Sequence, residues 1–189
     1  MPRFFATLLL CFVLLPFAAC DSNSDGDGNG NGNGNGGSTI GSSNVTVSGA
    51  FSDSFSGNAA FGVGEDGSSF SLALFEGNLT AGGTTSGGLV GIGRNEGRPG
   101  EGTFQITASG SAMDFAAAYI SDFSNTTGGM FVGSATGTLT ITSSTSGRVA
   151  GSFTFTGQAA STSGPLGEVT VQGTFTADLA STIPSTGFP

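Results

Sequence analysis

The sequence lacks most of the side chains that enzymes use. In 189 residues it has no histidine, no lysine and no tryptophan, one tyrosine and two cysteines. Histidine and lysine supply most general bases, amine nucleophiles and nitrogen ligands for metals, so their absence excludes most enzyme classes. We therefore predict no catalytic residue, no cofactor-binding residue and no resident cofactor.

Positive charge is also scarce. The four basic residues are all arginines, and thirteen acidic residues oppose them. Binding to a nucleic acid depends on clustered lysine and arginine at the phosphates, which this composition does not provide. We predict no nucleic-acid partner.

One kind of catalysis survives these absences, because glycoside hydrolysis needs only two carboxyl groups that face each other across a cleft. Sugar sites usually also offer tryptophan or tyrosine platforms, which this chain nearly lacks. We interpret the acids of the body as solvated loop residues, with a glycosidase-like envelope enzyme as the alternative. That alternative requires two acids in one cleft among Glu76, Glu96, Glu101, Asp114 and Asp122.

The amino-terminal segment has the form of a signal peptide. Arg3 precedes an apolar run over 4–17, and two small residues then lead to Cys20. The run is shorter than the roughly 20 residues that a membrane-spanning helix needs. Cys11 would leave with the signal, so the mature chain would keep only Cys20 and could form no internal disulfide.

Ala18, Ala19 and Cys20 resemble the lipobox of bacterial lipoproteins, with Phe17 where leucine is commoner. Together with a Gly/Asn tether and a β-rich body, they resemble uncharacterised envelope lipoproteins of Gram-negative bacteria. This resemblance implies a signal peptide over 1–19, a lipidated Cys20 and the membrane as a partner through the lipid anchor. Acidic residues soon after the cysteine resemble surface-export signals in some groups, whereas Asp21 directly after it resembles an inner-membrane retention signal in others. We expect the outer membrane or the cell surface.

Residues 20–43 form the predicted tether, rich in glycine, asparagine, aspartate and serine. Nothing apolar lies between Cys20 and Ile40, so no burial offsets the entropy of ordering this segment. Its first part imitates half of a calcium loop, but Gly32 stands where a closing glutamate should coordinate. We predict no metal site and keep a calcium-dependent adhesion module as an alternative, with the candidate ligands Asp21, Asn23, Asp25 and Asp27.

The body, over 44–181, has a hydrophobic period of two, which indicates strands with one buried face. The clearest examples are 149–157 and Val169 to Leu179, where apolar residues and glycines alternate with hydroxylated ones. The short connections favour antiparallel pairing. The sequence predicts an all-β fold, an antiparallel up-and-down barrel of 8–10 strands, with a β-sandwich as the alternative and a tail over 182–189. Strands are expected near 45–51, 55–63, 69–76, 88–93, 101–108, 114–121, 129–143, 149–157 and 169–179.

Glycines on the predicted apolar face, Gly49, Gly151 and Gly173, indicate coiled strands and favour the barrel. A lipid-facing barrel is the weaker alternative, because the chain cannot build the aromatic girdles of such barrels. We expect a non-catalytic module, either structural and adhesive or binding an envelope protein or a small apolar ligand at its mouth or loops. A phenylalanine-lined pocket would favour the ligand, whereas a barrel filled by its own side chains would leave only the loops and favour a structural or adhesive role.

Overall fold

The computed structural model describes residues 41–64, 66–77, 87–108, 114–122, 131–160 and 167–180. This part of the chain is all-β. None of its residues forms a helix long and apolar enough to cross a membrane. Its nine strands are β1 (Gly41–Gly49), β2 (Asp53–Val63), β3 (Phe70–Phe75), β4 (Leu89–Arg94), β5 (Gly102–Ile106), β6 (Ala116–Ile120), β7 (Phe131–Ser144), β8 (Arg148–Ala160) and β9 (Gly167–Leu179).

The strands form a nearly closed antiparallel barrel, as predicted, and not a sandwich. Apart from β5, strands that follow each other along the chain are neighbours in the wall, and β9 returns to pair with β1, with Val171 opposite Val47. β5 and β6 together take one place in the wall, because both pair with the same edge of β7. A bridge from Ile106 to Phe115 links these two short strands. The chain therefore builds eight wall positions from nine strands.

The interior of the barrel is filled by apolar side chains from every strand or its immediate flank. The predicted inward faces of β8 and β9 are confirmed, with Phe153, Phe155, Val171 and Phe175 all buried. Leu179 is the exception, since 44% of its surface is exposed. It is the last residue of β9, beyond the register with β1, and pairs with the end of β2 instead.

The folded body begins earlier than predicted. Residues 41–43 were expected in the tether because of their glycine and serine, but they already belong to β1. Ser43 is 2% exposed, and its hydroxyl donates a hydrogen bond to the carbonyl oxygen of Asn58 on β2. A hydroxyl that finds a backbone partner can be buried, and composition alone does not reveal this.

Glycines allow the long strands to bend and approach each other. A Cβ atom added to Gly151 would clash with the carbonyl oxygen of Thr140 on β7, and one added to Gly173 would clash with that of Asn44 on β1. Both glycines lie on the inward face, as predicted. Gly49 differs, because it ends β1 with a φ of 116° and is exposed.

The two ends of the barrel differ in their connections and charge. We call the end where β1 begins at Gly41 the entry end and the opposite end, where β1 stops at Gly49, the far end. The antiparallel order places the connections over 66–69, 95–101 and 145–147 at the entry end and the connection over 50–52 at the far end, where β3, β6 and β8 also end. Arg94, Arg98 and Arg148 lie at or next to the entry end together with the acids Asp66, Glu96, Glu101 and Asp178, whereas the charged residues described at the far end, Asp53, Glu76, Asp122 and Glu168, are all acidic.

The glycine contacts predict a contrast between two alanine substitutions. Gly151→Ala should lower the free energy of unfolding by about 1–3 kcal/mol, because the added methyl group must displace backbone of β7. Gly91→Ala on β4 is the matched control, since its Cβ would meet nothing within 4 Å. Urea unfolding followed by circular dichroism measures both. Equal destabilisation by the two changes would contradict the close approach at Gly151.

Candidate functional site

The acidic residues proposed for a carboxylate pair are divided between the two ends of the barrel, and each end receives more than one of them. Glu96 and Glu101 lie in the connection between β4 and β5 at the entry end. Glu76 and Asp122 follow β3 and β6 at the far end, and Asp114 lies just before β6. Within the described ranges no three acidic, cysteine or histidine residues come together as a metal site. Cys20 and the calcium candidates Asp21, Asn23, Asp25 and Asp27 lie outside these ranges.

A tyrosine closes the far end of the barrel. Tyr119 on β6 has no exposed surface, and its hydroxyl donates a hydrogen bond to the carboxylate of Asp53 at the start of β2. The ring of Phe51 stacks on Tyr119 with 6.2 Å between the centroids. The bond spans from β6 to β2, with β4 and β3 between them in the wall, so it closes the mouth. Sequence reasoning missed this pair.

The environment of Tyr119 strongly favours its neutral form. Burial is the largest cause of the raised pKa, and the hydrogen bond to Asp53 and the negative charges of Asp53 and Glu76 add to it. Glu76 is held near the mouth, where its carboxylate accepts a hydrogen bond of 3.3 Å from the backbone N–H of Gly88. Tyr119 therefore acts as a neutral hydrogen-bond donor at any ordinary pH.

An arginine closes the entry end. The side chain of Arg94 is 10% exposed, and its guanidinium carbon lies 5.5 Å from the ring centroid of Phe104 and 5.1 Å from that of Phe115. Its Nε and Nη2 atoms donate to the carbonyl oxygen of Gly97 at 3.1 and 2.8 Å. The ion pair with Glu96 is looser, at 3.5 Å. Arg94 thus fixes the turn after β4 and covers the rings of Phe104 and Phe115 at this end of the barrel.

Because side chains fill the interior and polar groups cover both ends, a partner would have to meet the connections or the outer wall. One part of this wall is distinctive. We define the hydroxyl wall as ten outward side chains in two rows across β1, β9, β8, β7 and β5, paired in register. The first row is Asn44, Thr174, Ser152, Thr140 and Thr103, and the second is Thr46, Gln172, Thr154, Thr138 and Gln105.

All ten residues of the hydroxyl wall are exposed or half-buried, and none is charged. Eight of them line a shallow open groove of about 460 Å³, together with Phe153 and Gly173. A second open groove, of about 530 Å³, starts at Thr46 and runs along the β1–β2 hairpin to Asp53. Both grooves are outside the barrel, so neither is the phenylalanine-lined pocket that a small apolar ligand would need.

The hydroxyl wall could be anticipated only in part. Alternation predicts that its residues face outward, but the register that aligns five strands into rows depends on pairings such as Thr103 with Thr140, which are 37 residues apart. The hydroxyl oxygens of these two threonines lie 3.2 Å apart.

No protein-family model, no curated protein and no solved structure matches this chain.

The closed far end predicts an unusual titration. Tyr119 is the chain's single tyrosine and there is no tryptophan, so near-ultraviolet absorbance reports on this one phenol. We expect no ionisation near pH 10, the ordinary value, and phenolate only when the protein unfolds. Because the folded-state pKa is the higher one, the stabilisation is complete below about pH 10 and is lost as pH rises towards the folded-state pKa.

The matched variant for this titration is Asp53→Asn, which removes the charge but keeps the size. Its Tyr119 pKa should fall relative to the wild-type protein yet remain above the ordinary value, because burial is the largest cause. If Tyr119 of the native wild-type protein ionised reversibly near pH 10, its hydroxyl would be in contact with solvent. That result would show that the mouth is open.

The closed entry end predicts a difference between two arginines. Arg94→Lys should lower the free energy of unfolding by about 1–2 kcal/mol, because an ammonium cannot keep both bonds to Gly97 and the stacking on Phe104 and Phe115. Arg148→Lys is the control, since Arg148 is solvent-exposed and pairs only with Asp178 at 2.7 Å among the described contacts. Thermal unfolding midpoints compare them. If Arg148→Lys lowers the unfolding midpoint as much as Arg94→Lys, the contacts of Arg94 with Gly97, Phe104 and Phe115 contribute no more to stability than an exposed ion pair.

Proposed function

We propose that this protein is a lipid-anchored, non-catalytic module of a bacterial cell envelope that acts by contact through the outer surface of its barrel. Lipidation of Cys20 would place the membrane at one end of the chain, and the tether over 20–43 would give the body reach. A tether of this composition extends about 5–6 Å times the square root of its residue number, which is some tens of Å.

The observation that carries the proposal is the filled barrel. Fully buried Phe61, Phe70, Phe115 and Phe155 occupy the interior where a small apolar ligand would have to bind. Stacked and edge-to-face contacts, such as 5.8 Å between Phe61 and Phe70, connect these rings. A core packed in this way supports a structural or adhesive role better than ligand carriage, because the binding partner must meet the outside.

The absence of histidine and lysine supports the same proposal, because it removes most general bases and amine nucleophiles. The topology also indicates which end would face away from the membrane. Because the tether would join the body at Gly41, the far end and the part of the wall next to it would point away from the anchor.

The proposal predicts that Cys20 decides where the protein resides. In a Gram-negative host, Cys20→Ala should abolish incorporation of labelled fatty acid and move the protein from the membrane fraction and detergent phase to the soluble fraction. Acyl chains contribute about 0.8 kcal/mol per buried methylene, so two or three chains hold the protein stably and none does not.

Cys11→Ala is the matched control, because Cys11 lies in the segment that the signal peptidase would remove. It should leave labelling and fractionation unchanged. Labelling that persists in Cys20→Ala, or membrane association that is independent of both cysteines, would refute the anchor.

A further inference from the structure

We propose that the hydroxyl wall binds a neutral polyhydroxylated polymer, a single chain of an uncharged glycan, along its groove. This inference rests on the proposed function, since it names the partner class for an envelope module that acts through its surface.

The charged residues of the body lie away from the hydroxyl wall. The body carries ten of the chain's thirteen acidic residues, all in the sequence after residue 43, yet the two rows of the hydroxyl wall contain none. The charges on these strands lie at their ends, with Glu168 at the far end and Arg148 paired to Asp178 at the entry end. Solubility does not explain this, because charged residues on an exposed sheet improve solubility and discourage association. A wall without charge suits an uncharged partner.

The chemistry of the side chains in the hydroxyl wall also favours a polyhydroxylated partner. Hydroxyl groups and the amides of Asn44, Gln172 and Gln105 both donate and accept hydrogen bonds. The partner that matches such a surface is one whose groups also do both, as the hydroxyls of a sugar do. A small apolar ligand would leave these groups unpaired, which costs free energy when they are buried, and a basic peptide would find no carboxylate in the two rows.

The spacing of the side chains in the hydroxyl wall also suits a sugar polymer. Neighbouring strands place their side chains about 4.8 Å apart, and alternate residues along a strand lie about 6.8 Å apart. This spacing is comparable with the length of one pyranose ring, so successive sugars can meet successive side chains. The groove of about 460 Å³ runs over a wall that curves with the barrel. It suits one flexible chain and not the flat face of a crystalline polymer.

The binding expected from this wall is weak for one site. The chain has no tryptophan, its single tyrosine is buried, and Phe153 in the groove is only 4% exposed, so the groove offers little aromatic area to a sugar ring. Many copies anchored on one membrane would bind one long polymer together, and this multiplicity raises the overall affinity without new contacts. Adhesion, which uses repeated weak contacts, fits this arrangement.

The test is native affinity electrophoresis of the mature lipidated protein in detergent micelles. The gels contain a neutral glucan, mannan or galactan, or acidic polygalacturonate, or no polymer. We expect retardation by at least one neutral polymer and none by polygalacturonate. Thr154→Val and Thr174→Val should each weaken the retardation about threefold to tenfold, because each removes a hydroxyl but keeps the branched shape that favours a strand.

A matched pair separates the wall from the rest of the surface. Ser152→Ala, in the groove, should weaken retardation, whereas Ser146→Ala, exposed in the turn between β7 and β8, should not. Circular dichroism melting of every variant shows whether the fold is kept.

Three results would overturn the inference: no retardation by any neutral polymer, retardation by polygalacturonate alone, or equal losses in Ser152→Ala and Ser146→Ala. Concentration-dependent dimers that Thr154→Val disrupts would instead make the wall an interface between copies of this chain, and would also overturn it. The proposed function stands or falls separately, because fatty-acid labelling and fractionation of Cys20→Ala do not depend on the wall. A protein that is anchored through Cys20 and shows no retardation keeps its envelope role and loses this partner.

Discussion

The pairing of β9 with β1 is the constraint on which the rest of the structure depends. It runs over eight residues, from Ser42 opposite Thr176 to Gly49 opposite Val169, and it joins the two ends of the chain's meander. Closure removes the exposed edges that a sheet of this length would offer to other chains. It also fixes the interior volume, because a ring of about eight strands leaves a space that side chains just fill. The packed core, the close approach of strands at glycines and the covered ends all follow from the small size of that ring.

The closed ends show how a small barrel manages polar groups at its rims. Inward positions at the strand ends can hold a charged group only where a partner compensates for its lost solvation. At the far end Asp53 occupies such a position and receives the hydroxyl of Tyr119, and at the entry end Arg94 lies over two aromatic rings and binds a carbonyl. In each case one side chain supplies apolar area and a polar tip together. The polar groups of these two side chains are thereby paired at the rims.

Local patterns carried most of the fold. The alternation in β8 and β9 specified their inward faces, and short connections specified antiparallel neighbours, so the nine strands lie close to the predicted ranges. Three features were not predictable from local pattern. Leu179 continues the apolar alternation but lies past the rim, Ser43 looks like linker but is buried, and Tyr119 meets Asp53 across 66 residues of sequence. Each depends on where the ring closes, which is a property of the whole chain.

The same closure explains why recognition belongs on the outside. A side chain on the inward face must fit the core, so β7, β8 and β9 use their inward positions for Phe, Val, Leu, Ile, Ala and glycine. Their outward positions are free of that demand, and strand propensity alone would admit threonine beside charged residues. The ten residues of the hydroxyl wall are instead all hydroxyl or amide, although the chain has acids to place. Glycines at 137, 151 and 173 bring these strands close together, so the positions that shape the core also shape the groove on the opposite face.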